Sequence, residues 1–226
     1  MNVTHRQKVI WNMLGSLSNA FSSLILSICV NRILGGNDGG IFAFAYANAQ
    51  LMLTVGQFEV GPYQGTDIKE KYKFNTYFSL RIITCSLMIG ITLLYIFWSQ
   101  FSLEKSLIIL FLAMYKLIEA FTNVFYGRFQ QKDRIDLSGK TFFFRVVFST
   151  IMFIVILFFS KNLIYASIGM AFTSFTLFFC LEWHYIFIED RKNLAIETQK
   201  MGSLMKEVLP LFISNFFIIL SLKSSR

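Results

Sequence analysis

Residues 82–101 read IITCSLMIGITLLYIFWSQF, a run of twenty residues without a charged side chain. About 20 apolar residues, each rising about 1.5 Å along an α-helix, cross a hydrocarbon core of about 30 Å. The backbone polar groups of such a helix satisfy one another, as the membrane interior requires. This stretch therefore predicts a transmembrane helix.

Similar runs alternate with short charged clusters along the whole chain. They predict an all-α, polytopic membrane helix bundle of about seven spans, at 9–30, 41–58, 82–101, 107–125, 142–159, 163–181 and from 208 onward. Six spans would form an N-terminal lobe within residues 1–188. The segment 189–207 would link this lobe to a seventh helix at 208–226.

The composition agrees with a lipid environment. Of the 226 residues, 55% are hydrophobic and 15% are charged, and the mean hydropathy is +0.56, whereas soluble proteins carry about 25% charged residues. The net charge of +8 is explained by Lys and Arg in cytoplasmic loops, so it does not indicate nucleic acid. Cys29, Cys85 and Cys180 lie far apart in apolar segments, and no disulfide framework is predicted.

The distribution of basic residues predicts the orientation. With the N-terminus inside, fifteen of the 21 Lys and Arg residues fall on that side, five fall outside and Lys116 lies within a span, when Arg81 and Arg145 are counted with the loops they border. Because cytoplasmic loops collect basic residues, we expect a cytoplasmic N-terminus. Apolar residues recur at roughly helical spacing in 189–207, which favours an amphipathic helix along the cytoplasmic interface. An irregular solvated loop is the alternative.

Lys116 and Glu119 lie within the fourth predicted span, three residues apart and thus on one helical face. A charge at the centre of a span costs about 2.5–3.5 kcal/mol on insertion scales, so these side chains should face the bundle interior or a water-filled cavity, as an ion pair. The pair could lock two helices together or line a polar transport route.

Other basic side chains have two interpretations each. Arg32 at the outer end of span one and Arg145 near the start of span five could snorkel to lipid headgroups or hold a phosphate with the guanidinium group. Arg128, Lys132 and Arg134 follow span four in a charged loop, which could contact anionic headgroups or simply be solvated.

Span one carries a stripe of small and polar residues that allows either close helix packing or a cavity-facing role. Its members are Ser16, Ala20, Ser23 and Ser27, with Asn12 and Asn19 nearby. Signals for catalysis are poor. The chain has two histidines, His5 and His184, and no P-loop, GxSxG or GxGxxG motif. We therefore expect no enzyme, no catalytic residue, no metal and no cofactor.

Several short motifs occur along the chain: NRILG at 31–35, NDGGIF at 37–42, YQGTD at 63–67, KEKY at 69–72, YGRFQQKDRID at 126–136, and LPL at 209–211 with Asn215. Together they resemble the polysaccharide flippases (the Wzx, or O-antigen transporter, group), in the polysaccharide transporter branch of the multidrug/oligosaccharidyl-lipid/polysaccharide exporter superfamily. The likeness covers nearly the whole chain.

The resemblance implies two six-helix lobes around a central cavity in the bacterial inner membrane. It also implies flipping of undecaprenyl-diphosphate-linked oligosaccharide repeat units from the cytoplasmic to the outer leaflet, for surface polysaccharides such as O-antigen or capsule. Basic cavity residues would bind the diphosphate, which points to Arg32, Lys116 and Arg145, with Glu119 beside them. The implied partners are the lipid-linked sugar and bilayer lipids, with the polysaccharide polymerase and chain-length machinery as further candidates.

The chain departs from this group in its number of spans. Members have about twelve or more, so we expect one lobe and one helix of a second, as in a truncated product. Three alternatives stay open. They are a non-functional fragment, a related multidrug-type exporter coupled to ions through Glu119, and a membrane-embedded transferase of cell-envelope sugars.

Overall fold

Every element in the described part of the chain is a helix. The computed structural model describes residues 4–183, 196–197 and 200–224. The helices are α1 (His5–Leu34), α2 (Gly36–Gln57), α3 (Val60–Thr66), α4 (Phe74–Ser99), α5 (Leu103–Gln131), α6 (Ile135–Ser160), α7 (Leu163–Leu177) and α8 (Met201–Ser224). A π-helical segment, Phe178–Trp183, continues α7.

Among the described residues, six helices are long and apolar enough to cross a membrane: α1, α4, α5, α6, α7 with its π-helical segment, and α8 from Met201 to Ile218. The predicted second span also forms a helix, the 22-residue α2. It is not among the six, because its Gly, Asn and Gln residues lower its hydropathy. The predicted class, an all-α polytopic membrane bundle, is confirmed.

The helices extend beyond the predicted spans. Hydropathy marks only the part of a helix that crosses the hydrocarbon, whereas α4 starts at Phe74 and α6 at Ile135. Consequently Arg81 and Arg145, which the basic-residue count assigned to loops, are buried inside helices. Removing these two from fifteen leaves thirteen basic residues inside against five outside. The cytoplasmic N-terminus stays a prediction.

Two glycines allow α1 and α6 to pack closely. A Cβ atom at Gly139 would lie 2.6 Å from the backbone nitrogen of Asn12, and closer still to the backbone carbonyl group of Trp11. A Cβ atom at Gly15 would lie 3.1 Å from the Gly139 carbonyl oxygen. Small residues commonly bring membrane helices together in this way, so that dispersion contacts accumulate between the backbones.

Helix α8 docks on the segment between α2 and α4. Leu204 and Val208 are buried there, and the ring of Phe212 stacks on Phe58 with a centroid distance of 4.3 Å. The Glu207 carboxylate accepts hydrogen bonds from Lys71 Nζ at 2.6 Å, and from the hydroxyls of Tyr72 and Tyr63. The contact joins the helix at the end of the chain to the rest of the bundle.

Within the predicted linker 189–207, residues 189–195, 198 and 199 lie outside the described residues. Its last part, from Met201, belongs to α8, so these residues continue directly into the seventh predicted span. The amphipathic helix and the division into lobe and linker stay predictions.

Asp67 organises the turn between α3 and α4. Its carboxylate accepts hydrogen bonds from the backbone nitrogens of Lys71 at 2.9 Å and Tyr72 at 3.1 Å, and from the Tyr77 hydroxyl at 2.8 Å. Partial burial acts to raise the pKa of Asp67, but these hydrogen bonds outweigh it and hold the pKa below its ordinary value.

Replacing Asp67 with Asn is expected to lower stability at pH 7 by about 1–2 kcal/mol, the scale of hydrogen bonds to a charged group that is partly exposed. Because the folded-state pKa is lowered, Asp67 contributes stability above the unfolded value of about 3.9 and loses it as the pH falls through the folded-state pKa. The melting temperature of the purified protein, measured between pH 7 and pH 3, should therefore fall less steeply with decreasing pH for Asp67→Asn than for the parent.

The control for this prediction is Asp38→Asn. The Asp38 side chain has no hydrogen-bond partner among the described residues, so its replacement should change the melting temperature at pH 7 less than Asp67→Asn does. An Asp67→Asn variant with the same acid slope as the parent would contradict the role assigned to this carboxylate.

Candidate functional site

Helix α5 carries a buried ion pair. Lys116 Nζ lies 2.8 Å from Glu119 Oε2, and the two side chains are 1% and 7% exposed. The ammonium group also lies 5.3 Å from the ring centroids of Tyr46 and Tyr115, a distance that allows a cation–π attraction. The predicted pairing and inward orientation of Lys116 and Glu119 are confirmed.

A second buried pair joins α6 to the π-helical segment. Arg145 Nε lies 3.2 Å from Glu182 Oε1, and both side chains are 0% exposed. The guanidinium group also donates to Thr122 Oγ1 at 3.1 Å, Tyr126 Oη at 3.3 Å and Ser174 Oγ at 3.4 Å. Arg145 is therefore buried in the bundle interior. The predicted contact of Arg145 with lipid headgroups is wrong, because its side chain is 0% exposed.

Glu182 and Arg81 were not predicted to be site residues. Glu182 is the one acidic residue in the run 163–188, and this isolation within an apolar stretch was the available signal. Arg81 stands at the edge of a predicted span, where it was counted as a loop residue. The structure buries it against the Gly56 carbonyl oxygen and 2.8 Å from Asn123 Oδ1.

A polar cavity of about 320 Å³ opens between α1, α2, α5 and α6. Glu119 and Tyr126 reach this cavity from α5 and connect it to both buried ion pairs. The other lining residues are Asn12, Ser16, Gln57, Asn123, Gln130, Ile135, Ser138, Gly139 and Phe142. A lining rich in amides and hydroxyls can exchange hydrogen bonds with a polar solute among helices that are otherwise apolar.

Ser16 of the polar stripe in span one lines the cavity, together with the nearby Asn12. Further along α1, the Ser23 hydroxyl donates to the Ala20 carbonyl oxygen of its own helix at 2.9 Å. Close helix packing by the rest of the stripe stays a prediction.

The remaining candidates lie outside the cavity. Arg32 is exposed in the last turn of α1 and forms no ion pair with the residues that the structure describes. Arg128 pairs with Glu70 at 2.7 Å, and Arg134 pairs with Asp136 at 3.2 Å. Lys132 follows the last residue of α5. Contact of the α5–α6 connection with headgroups stays a prediction.

Within the described ranges, no group of three or more His, Cys, Asp or Glu side chains could hold a metal ion. The chain is similar to a known protein family. A family model described as "Polysaccharide biosynthesis protein" matches residues 5–226. Comparison with curated proteins and with solved structures gave no match.

Proposed function

Because the chain belongs to the polysaccharide biosynthesis protein family, we propose that it is a transport protein for lipid-linked saccharides. It flips undecaprenyl-diphosphate-linked oligosaccharide repeat units from the cytoplasmic to the outer leaflet of the bacterial inner membrane. The flipped units supply surface polysaccharides such as O-antigen or capsule. In this role the chain performs no catalytic step and needs no cofactor.

The observation that carries the proposal is a polar cavity inside an apolar membrane bundle. Polar and ionisable residues within membrane spans are costly, and in transporters they mark the route of the substrate. Here Glu119 lines a cavity of about 320 Å³ together with four side-chain amides. A bundle that served only as an anchor would gain nothing from such a lining.

The predicted site residues take distinct parts in this proposal. Lys116 holds the Glu119 carboxylate beside the cavity, and Arg145 anchors Tyr126 at its wall. We assign Arg32, exposed in the last turn of α1, to the substrate diphosphate, because a guanidinium group suits phosphate oxygens. The basic residues at the end of α5 and in its connection to α6 contact anionic headgroups; these are Arg128, Lys132 and Arg134. The polysaccharide polymerase and the chain-length machinery receive the product outside.

Complementation tests the proposal. In a bacterial strain that lacks its own flippase for a given repeat unit, expression of the chain should restore surface polysaccharide. Glu119→Gln should reduce this recovery about tenfold or more at equal abundance in the membrane. One hydrogen-bonded charge contributes about 1.5–3 kcal/mol, and about 1.4 kcal/mol corresponds to a tenfold change in rate.

The matched control is Glu104→Gln, which changes an exposed glutamate in the first turn of the same helix and should restore polysaccharide as the parent does. Absence of any recovery with the parent chain and also with a family member of about twelve spans, across strains with different repeat units, would overturn the proposed function. Equal recovery with Glu119→Gln and Glu104→Gln would remove Glu119 from the transport route.

A further inference from the structure

We propose that the cavity between α1, α2, α5 and α6 binds an uncharged saccharide portion of the substrate and excludes its diphosphate. The inference rests on the proposed transport of a lipid-linked saccharide and specifies which part of that substrate enters this cavity.

Unused hydrogen-bonding groups face the cavity. The side-chain amides of Asn12, Gln57 and Gln130 line it and form no hydrogen bond with the residues that the structure describes. Each amide offers two donor hydrogens and an acceptor oxygen. A sugar hydroxyl group is likewise both donor and acceptor, so this lining matches a polyol better than it matches an ion of one sign.

The charge of the lining favours the same class of ligand. Among the described residues that line the cavity, none is Lys, Arg or His, and Glu119 is the one charged residue. Lys116 occupies Glu119 Oε2, and no described group donates to Oε1. A diphosphate would therefore meet a carboxylate that accepts hydrogen bonds but donates none, and no cation among the described lining residues that could pair with it. A sugar hydroxyl could donate to that oxygen.

Two buried arginines that contact lining residues are held by other groups. Arg145 is held by Glu182 at 3.2 Å, and Arg81 is held by the Gly56 carbonyl oxygen and by Asn123. Releasing either guanidinium group toward the cavity would leave a buried partner unsatisfied. These two arginines therefore shape the walls of the cavity and do not bind an anion within it.

An aromatic wall completes the cavity. The rings of Tyr126 and Phe142 lie edge to face, with centroids 6.0 Å apart, and both line the cavity. Aromatic faces carry partial negative charge, so they attract the weakly positive C–H groups of a sugar ring while the amides bind its hydroxyls. The volume is at the small end of ligand pockets, about 300–1,000 Å³, which suits part of a repeat unit.

Ligand-observed NMR on the purified protein in lipid nanodiscs tests this inference. We expect saturation transfer to N-acetylglucosamine and methyl glucoside, and neither glucuronate nor inorganic pyrophosphate should compete with them. Gln57→Leu should weaken binding about three- to tenfold, the effect of losing one neutral hydrogen bond. Gln50→Leu, on the same helix but outside the cavity, should bind as the parent does.

Gln130→Leu is a second variant on a different helix, and it should also weaken binding. Competition by pyrophosphate at concentrations equal to those of the sugars would overturn the inference, as would equal binding by the Gln50→Leu, Gln57→Leu and Gln130→Leu variants. These outcomes are distinct from failure of the proposed function. If the chain restores surface polysaccharide but the cavity variants bind sugar as the parent does, the proposed transport is supported and the sugar site is contradicted. If the cavity variants bind sugar more weakly than the parent but the chain complements no strain, the sugar site is supported and the proposed transport is contradicted.

Discussion

Replacing Gly139 with alanine is expected to destabilise the protein by about 1–3 kcal/mol, the usual cost of an added methyl group in a tightly packed interior. The new Cβ atom would lie 2.6 Å from the backbone nitrogen of Asn12, and closer still to the backbone carbonyl group of Trp11. Backbone atoms cannot rotate away as a flexible side chain can. Helix α1 would therefore have to move away from α6, and the cavity that Asn12 and Ser16 line would widen.

The measurement is thermal unfolding of the purified protein in detergent, followed by loss of the monodisperse peak in size-exclusion chromatography. Gly90→Ala is the matched control, because nothing lies within 4 Å of a Cβ atom at that position in α4. In a helix, alanine is about 0.8–1.0 kcal/mol more favourable than glycine, so Gly90→Ala should melt at the parent temperature or slightly above it. Equal melting of the two variants would contradict close packing of α1 on α6.

The long helices could be predicted from the sequence because each span needs about 20 apolar residues, and this signal is local. Helix ends were less predictable. α4 starts at Phe74 and α6 at Ile135, since a helix continues into the interface after its hydropathy has fallen. Arg81 and Arg145 were therefore assigned to loops, although both are buried inside helices.

The two buried ion pairs show the limit of local reasoning. Lys116 and Glu119 are three residues apart on one helix, so geometry alone places them together. Arg145 and Glu182 are separated by 37 residues, and their contact depends on how α6 and α7 pack. It also depends on the π-helical turn at Phe178–Trp183. Such turns are often found at functional sites, but no sequence pattern predicted this one.

The cavity was predictable in part. The sequence allows a cavity-facing role for Asn12 and Ser16, because polar residues are rare within a membrane span. Both residues line the cavity in the structure. Gln57 and Gln130 lie near helix ends, where amides are common and a sequence does not distinguish solvated ones from cavity-facing ones. Convergence of four helices on one space is a tertiary property, which the order of residues along the chain does not show.

Removing one member of the Arg145–Glu182 pair should have the largest effect of any single substitution proposed. Both side chains are 0% exposed, so Glu182→Leu would leave a buried guanidinium group without its counter-charge. Breaking a buried pair in this way costs about 3–5 kcal/mol, whereas replacing both members with apolar residues is often neutral or stabilising. We therefore expect severe destabilisation in Glu182→Leu and in Arg145→Leu, and substantial recovery in the double variant.

Melting temperatures of the parent, both single variants and the double variant give the coupling between the two side chains, since the thermodynamic cycle isolates their interaction. The control is Glu70→Leu, which removes the carboxylate from the Arg128–Glu70 pair. Glu70 is 56% exposed, and exposed pairs contribute about 0–1 kcal/mol, so this variant should melt near the parent temperature.

The same double variant separates a structural role from a transport role. If the pair serves only to join α6 to the π-helical segment, Arg145→Leu/Glu182→Leu should recover surface polysaccharide together with stability. If the charges take part in moving the substrate, stability should recover while transport stays low, because Tyr126 would lose both of its charged partners at the cavity wall. A double variant no more stable than either single variant would contradict the pairing itself, since the loss would then come from packing volume and not from an unpaired buried charge.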